Sequence, residues 1–177
     1  MLGAQYVVYI HDDWIAEVWA DAGEMSARGC RDLNLLESAV SRPFQTVFGR
    51  DAYPTIFEKG VALFHSLISN HPFHDGNKRT AITAFYAFLL ANGNYFALSN
   101  EEAYALAKAT ASYRERGVSH AGALLEIQDK LRDWVIPFAT LRVGAKADTA
   151  FRRTYEAAKT MRLLIRRSPL NRLVVRD

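Results

Sequence analysis

Apolar positions recur at helical spacing along most of the chain. From Thr55 to about Asn70 they fall at Ile56, Gly60, Leu63, Phe64, Leu67 and Ile68, a 3.6-residue period that predicts an amphipathic helix. Thr55-Ile-Phe-Glu58 opens it as a capping box, with an N-cap hydroxyl three residues before an acid. Asn77 to about Leu90 is apolar on nearly every face, the pattern of a central buried helix, and Asn92-Gly93-Asn94 ends it with residues that accept left-handed backbone. Ser99-Asn-Glu-Glu102 is a second capping box, opening a helix to about Ser112. Ser119–Val135 is amphipathic and closed by Pro137, and Asp148 to about Arg167 forms a last, basic helix stopped near Pro169. Near the N-terminus, Tyr6–Ile10 is a short β-prone stretch, Asp12 or Asp13 caps a helix through Trp19, and Gly23–Asp32 reads as a loop. Asn34-Leu-Leu-Glu37 predicts an N-cap and a short helix to Pro43. Pro43–Pro54 is aromatic without helical period, hence a loop or a small hairpin. No internal repeat shows, and the class is all-α.

Composition narrows the setting. The 177 residues suit one domain, or one domain with a helical appendage, and at 50% apolar and 12% aromatic they can build a core. A lone Cys30 offers neither an internal disulfide nor a cysteine-rich zinc site, which points to a reducing cytoplasm. Met1–Tyr6 lacks the basic start of a secretory signal, and the longest apolar run, Ala81–Ala91 interrupted by Thr83, is short of the ~20 residues of a membrane span. The net charge of +3 is uneven. Residues 142–177 hold ten basic against three acidic residues, a net +7, leaving −4 on the rest. Boundaries at 1–138 and 139–177 separate a folded domain from a basic helical extension.

One segment concentrates chemistry: His71-Pro-Phe-His-Asp-Gly-Asn-Lys-Arg79, between the amphipathic helix and the buried one. A helix begins at Asp75 or Gly76, so the amides of Gly76, Asn77 and Lys78 lack intrahelical partners and, with the helix dipole, favour an anion. Gly76 allows close backbone approach, Arg79 supplies a planar fork for phosphate oxygens, and Lys78 a point charge. Asp75 offers the hard carboxylate oxygen that Mg²⁺ takes alongside phosphates, and His71 titrates where a general base is useful.

The nonapeptide resembles the signature of the Fic/Doc family, His-Pro-Phe-x-(Asp/Glu)-Gly-Asn-(Gly/Lys)-Arg. Arg31–Ala39, Arg42-Pro43, Tyr53-Pro54, Glu58-Lys59, Asn70-His71 and Lys78–Ala81 resemble its death-on-curing branch, over roughly residues 7–135. The resemblance implies a Fic/Doc-type helical bundle using ATP and Mg²⁺, with His71 deprotonating a target hydroxyl and Asp75 holding the metal. Gly76, Asn77, Lys78 and Arg79 would bind phosphate. Relatives with Gly in place of Lys78 transfer AMP, whereas death-on-curing toxins carry Lys and deliver the γ-phosphate to a threonine of elongation factor Tu. Lys78 thus implies a phosphorylating toxin, with AMP transfer as the alternative. Gly76 departs from the founding toxin of that branch, which has Ala there. The loop Phe44–Tyr53, with Phe44, Thr46 and Tyr53, would align the target. No Glu is followed by Gly or Asn, so the family's self-inhibiting helix is absent in its usual form, and inhibition falls to a separate antitoxin protein.

Two rival readings use other features. His74-Asp75 is also the doublet of HD phosphohydrolases, but His65, His71 and Asp129 are not spaced as the further ligands. The basic tail could bind nucleic acid, but packing within the protein or a dimer is the favoured reading, with a partner protein as a further alternative. His65 is expected to be packed and His74 exposed, while His11 and His120 carry no functional signal.

Overall fold

The structure, a computed structural model, describes residues 3–15, 19, 23–137, 140 and 165. Its helices are α1 (Ala4–Tyr9), continued by a π-helical segment at Ile10–Trp14, α2 (Leu33–Ser41), α3 (Ile56–Asn70), α4 (Asn77–Ala91), α5 (Asn100–Ala111) and α6 (His120–Leu131). Two short antiparallel ribbons complete it: β1 (Thr46–Val47) with β2 (Arg50–Asp51), and β3 (Asn94–Phe96) with β4 (Val135–Pro137). The all-α expectation holds.

The predicted capping boxes form as read. Thr55 Oγ1 accepts from the Glu58 amide while the Glu58 carboxylate accepts from the Thr55 amide, and Ser99 and Glu102 repeat this at α5. The core centres on α3 and α4. Ten consecutive residues of α3, Lys59–Ile68, are buried, and α4 hides all but a few of its side chains. Gly60 permits this approach: a Cβ there would lie 2.9 Å from the Phe85 ring. α4 also meets α5, β3 and the π-helical segment, which gives it the central place its apolar pattern predicts.

Four sequence expectations need correction. Tyr6–Ile10 is helical rather than β, because Val7 and Ile10, three residues apart, both bury completely, and burial outweighs β-propensity. Asp12 and Asp13 therefore lie inside a continuing helical segment and cap nothing. The cap of α2 is Asp32, whose carboxylate accepts from the Leu35 amide, and Asn34 lies within the helix. The last described helix ends at Leu131, a 3₁₀ turn covers Arg132–Trp134, and Val135–Pro137 pairs with β3. The Pro43–Pro54 segment resolves into a 3₁₀ turn at Arg42–Phe44 and the β1–β2 hairpin. The predicted Asp148–Arg167 helix lies outside the described residues except at Ile165, which is helical and fully buried with the core.

His65 on α3 is buried as expected, with the rings of His120 and Tyr113 against it. Burial pushes its pKa down to about 4, aided by the positive fields of His120, Arg42 and Arg114. The unfolded chain takes up this proton near pH 6.5, whereas the native state refuses it until about 4. Native stability therefore falls as pH drops through that window, by about 3 kcal/mol from this group. Chemical denaturation at pH 7 and pH 4 should show the loss, and His65→Gln should flatten the dependence by about that amount.

Candidate functional site

The segment between α3 and α4 is a built turn. His71 ends α3 in left-handed backbone (φ 51), a conformation that costs a non-glycine residue about 1 kcal/mol or more. Neighbouring groups hold it there. Arg31 Nη2 donates to the His71 carbonyl at 2.6 Å, and the amides of Arg31 and Asp32 both donate to the Pro72 carbonyl. Phe73 anchors the turn in the core. Asn77, itself buried, grips the backbone of Phe73 on both sides: its Oδ1 accepts from the Phe73 amide and its Nδ2 donates to the Phe73 carbonyl, each at 2.9 Å. The same Nδ2 lies 3.2 Å from His71 Nδ1.

Helix α4 starts without a side-chain cap. Its N-cap, Gly76, is left-handed (φ 70), whereas Asp32, Thr55, Ser99 and Ser119 cap α2, α3, α5 and α6 through side-chain oxygens. The first intrahelical bond from this end is Thr80 N–H to the Gly76 carbonyl, which leaves the amides of the first turn without helical acceptors. Two cations, Lys78 and Arg79, stand in that turn, where the dipole disfavours positive charge unless an anion is bound. A Cβ on residue 76 would meet Met25 Sδ at 2.6 Å, and L-residues resist this φ.

Asp75 is held as an anion. Its Oδ2 accepts from the Ser26 amide at 2.8 Å and the Ser26 hydroxyl at 2.9 Å, and its Oδ1 from the Gly76 amide at 2.6 Å. These bonds, led by the Ser26 amide, lower its pKa, with Arg79 adding a smaller pull. Arg79 Nη1 donates to the Gly23 carbonyl, and its Nη2 stands 4.0 Å from Asp75 Oδ2, so the fork is braced and further N–H groups stay free to bind. The half-exposed, ionised carboxylate suits a hard divalent cation that takes its other ligands from phosphates and water. Among the described residues, no group of three or more His, Cys, Asp or Glu side chains is placed to hold a metal, so an HD-type ligand set is not assembled there.

His71 is exposed at the mouth of this turn. Its pKa is lowered, first by desolvation, then by the charges of Lys78 and Arg31, against a smaller opposing pull from its own backbone bond and Asp75. The ring is therefore neutral at neutral pH. The Asn77 donor puts the neutral ring's proton on Nε2, leaving Nδ1 as the basic nitrogen. A 3.2 Å contact can yield to a substrate hydroxyl.

The candidates thus separate into two groups. His71, Asp75, Gly76, Asn77, Lys78 and Arg79 converge on one turn, and His74 is exposed as expected. Phe44, Thr46 and Tyr53 belong to the hairpin segment, whose bonds run elsewhere. Lys59, buried in the first turn of α3, donates to Asp51 Oδ2 at 2.5 Å and to the Tyr53 carbonyl at 2.7 Å, and Arg42 bonds the Tyr53 hydroxyl and His120. No hydrogen bond, ion pair or ring contact of these three residues reaches 71–79 among the described residues. The hairpin tip exposes Phe48 fully, with Phe48 and Gly49 both at positive φ, a type I′ turn. Sequence reading missed Ser26, Arg31 and His11, which lie 49, 40 and 64 residues from the motif groups they bind. No spacing rule links residues so far apart.

The family model described as Fic/DOC family matches residues 2–89, a range that contains the whole turn and both helices around it. Residues 2–89 belong to the Fic/DOC family. Among curated proteins the chain is similar to the Toxin Doc of Mycolicibacterium smegmatis, 50% identical over 74 residues. That alignment covers 42% of this chain and 55% of the toxin, so the chain spans about half the length of the curated relative it matches. No solved structure matches it. Within this Fic/DOC segment lie His11, Ser26 and Arg31 as well as the motif.

The electrostatics of His71 can be measured without any assumed activity. An NMR titration of its ring should give a midpoint below the ordinary 6.5, and Lys78→Met should move it upward. A midpoint unmoved in that variant would mean that Lys78 does not face the imidazole.

Proposed function

We propose that this protein is a toxin-type transferase of the cytoplasm that moves the γ-phosphoryl group of ATP to a hydroxyl of elongation factor Tu. The observation that carries the reading is the uncapped start of α4, where a left-handed glycine, two cations and an ionised carboxylate face a neutral histidine. First-turn amides, Lys78 and Arg79 bind and orient the triphosphate. His71 takes the hydroxyl proton as that oxygen forms its bond to phosphorus and the bond to the ADP oxygen breaks, and later returns the proton to solvent. Asp75 would hold Mg²⁺, which when bound neutralises phosphate charge. Binding and positioning then supply most of the rate enhancement.

Lys78 supports delivery of the terminal phosphate rather than AMP, by the family pattern quoted above. The β1–β2 hairpin, pinned by Lys59 and Arg42 at its base, is the element that aligns the target, with Thr46 exposed on its edge. Control by a separate antitoxin protein, through an acidic segment folding onto the toxin, fits a relative named as a toxin and a chain with no Glu-Gly or Glu-Asn step. No described helix is long and apolar enough to cross a membrane. The basic residues of 142–177 leave nucleic-acid contact open to a salt-dependence test.

Intact-mass spectrometry of elongation factor Tu after incubation with the protein, ATP and Mg²⁺ tests the reading. The expected result is a gain of a phosphoryl group, slowed about 10²–10⁴-fold by His71→Ala. A gain of AMP would overturn the donor assignment and keep the site. No gain of either kind would overturn the assignment of target and activity.

A further inference from the structure

His11 lies 64 residues before Asp75 in sequence and packs against the motif in space. Its ring is fully buried, stacked on Phe73 with centroids 4.1 Å apart and planes 6° from parallel. It sits in the π-helical segment Ile10–Trp14, a local widening that is common at functional positions. Its Nδ1 is 2.7 Å from Asp12 Oδ1, and its Nε2 is 3.2 Å from the carbonyl oxygen of Asp75. The Asp75 carbonyl and the Asp12 carboxylate both only accept, so the two contacts are hydrogen bonds together when each ring nitrogen carries a proton, with Asp12 as the counter-ion.

The bond acts on the peptide that matters most in the turn. In a planar trans peptide the C=O and N–H point in opposite directions. Drawing the Asp75 carbonyl down to His11 therefore aims the Gly76 N–H outward, where it meets Asp75 Oδ1 at 2.6 Å. Gly76 lacks a Cβ and stands at φ 70, so this is the peptide of the motif freest to rotate. Rotated by half a turn, it would present a carbonyl oxygen to the anion site and drop the bond that steadies the Asp75 carboxylate. Met25 packs beside His11 on the side of Gly76 where a Cβ would stand, and it offers no hydrogen-bond donor to hold a carbonyl.

We infer that His11, braced by Asp12, is a positioning residue that locks the Asp75–Gly76 peptide with its carbonyl inward, keeping the site at the start of α4 in its anion-accepting form. The inference rests on reading that site as one for nucleotide phosphates. It adds to the motif a residue 64 positions upstream of Asp75.

Calorimetric titration of the full chain with ATP and Mg²⁺ compares the natural protein with His11→Gln and His11→Phe. The glutamine amide can donate in place of Nε2, whereas phenylalanine keeps the stack on Phe73 and loses the donor. The expected result is binding within a few-fold for Gln and weaker by roughly ten- to a hundredfold for Phe, the effect of one lost buried hydrogen bond. The Gly76 amide resonance should move on ATP addition in the natural and Gln forms and stay in place in the Phe form, a pattern that a merely destabilised core would not produce. A folded His11→Phe that binds like the natural protein would overturn the inference and leave the nucleotide reading standing. Natural protein that binds no ATP would overturn the nucleotide reading and this role with it. Should the Phe form not fold, the natural protein decides: a proton on His11 Nε2 coupled to the Asp75 carbonyl in the NMR spectrum supports the lock, and a bare Nε2 refutes it.

Discussion

A helix whose first-turn amides lack helical acceptors and which has no capping side chain must satisfy them from outside the helix. In this protein α4 is such a helix, and it is also the most buried one, so its start is held rigidly by the core. Lys78 and Arg79 in the first turn run against the helix dipole. The arrangement is balanced only by negative charge, which Asp75 supplies in part from the residue before the left-handed glycine. The other long helices close the same deficit with Asp32, Thr55, Ser99 or Ser119. What would be a defect elsewhere is here the feature on which the proposed nucleotide site rests.

The surroundings of that start come from distant parts of the chain. Ser26 and Gly23 from the loop after the first helical segment bind Asp75 and Arg79, while Arg31 at the entrance of α2 binds the carbonyl of His71. His11 supports the turn from below. These contacts do two kinds of work. Desolvation, followed by the charges of Lys78 and Arg31, lowers the pKa of His71, and the bonds led by the Ser26 amide lower that of Asp75. The Arg31 bond to its carbonyl helps hold His71 in a backbone conformation it would not adopt alone.

Much of this was legible locally. The capping boxes at Thr55 and Ser99 formed as read because their partners are three residues apart, and nothing distant competes for them. The nine residues from His71 to Arg79 were legible for the same reason: the turn, the helix start and its charges are consecutive. Failures occurred where a local preference met a global one. Tyr6–Ile10 reads as strand by its β-branched and aromatic residues, yet Val7 and Ile10 bury together only in a helix against the core. Asp32 displaced Asn34 as the cap of α2, and Val135–Pro137 left the helical pattern to pair with Asn94–Phe96 across a sequence gap no period reports.

By itself, then, the sequence determined the helical class, the two capping boxes, the buried character of α4 and a contiguous turn of His71–Arg79 at its start, because each depends on residues within a few positions of one another. The tertiary structure alone decided which nitrogen of His71 meets Asn77, which donors hold Asp75, and that a histidine of the first helical segment reaches the Asp75 carbonyl. Hydrogen bonds are short and directional, so their partners are chosen by how helices pack rather than by order along the chain. His11 carries no signal in the sequence because its contact is with a carbonyl that only folding brings within 3.2 Å.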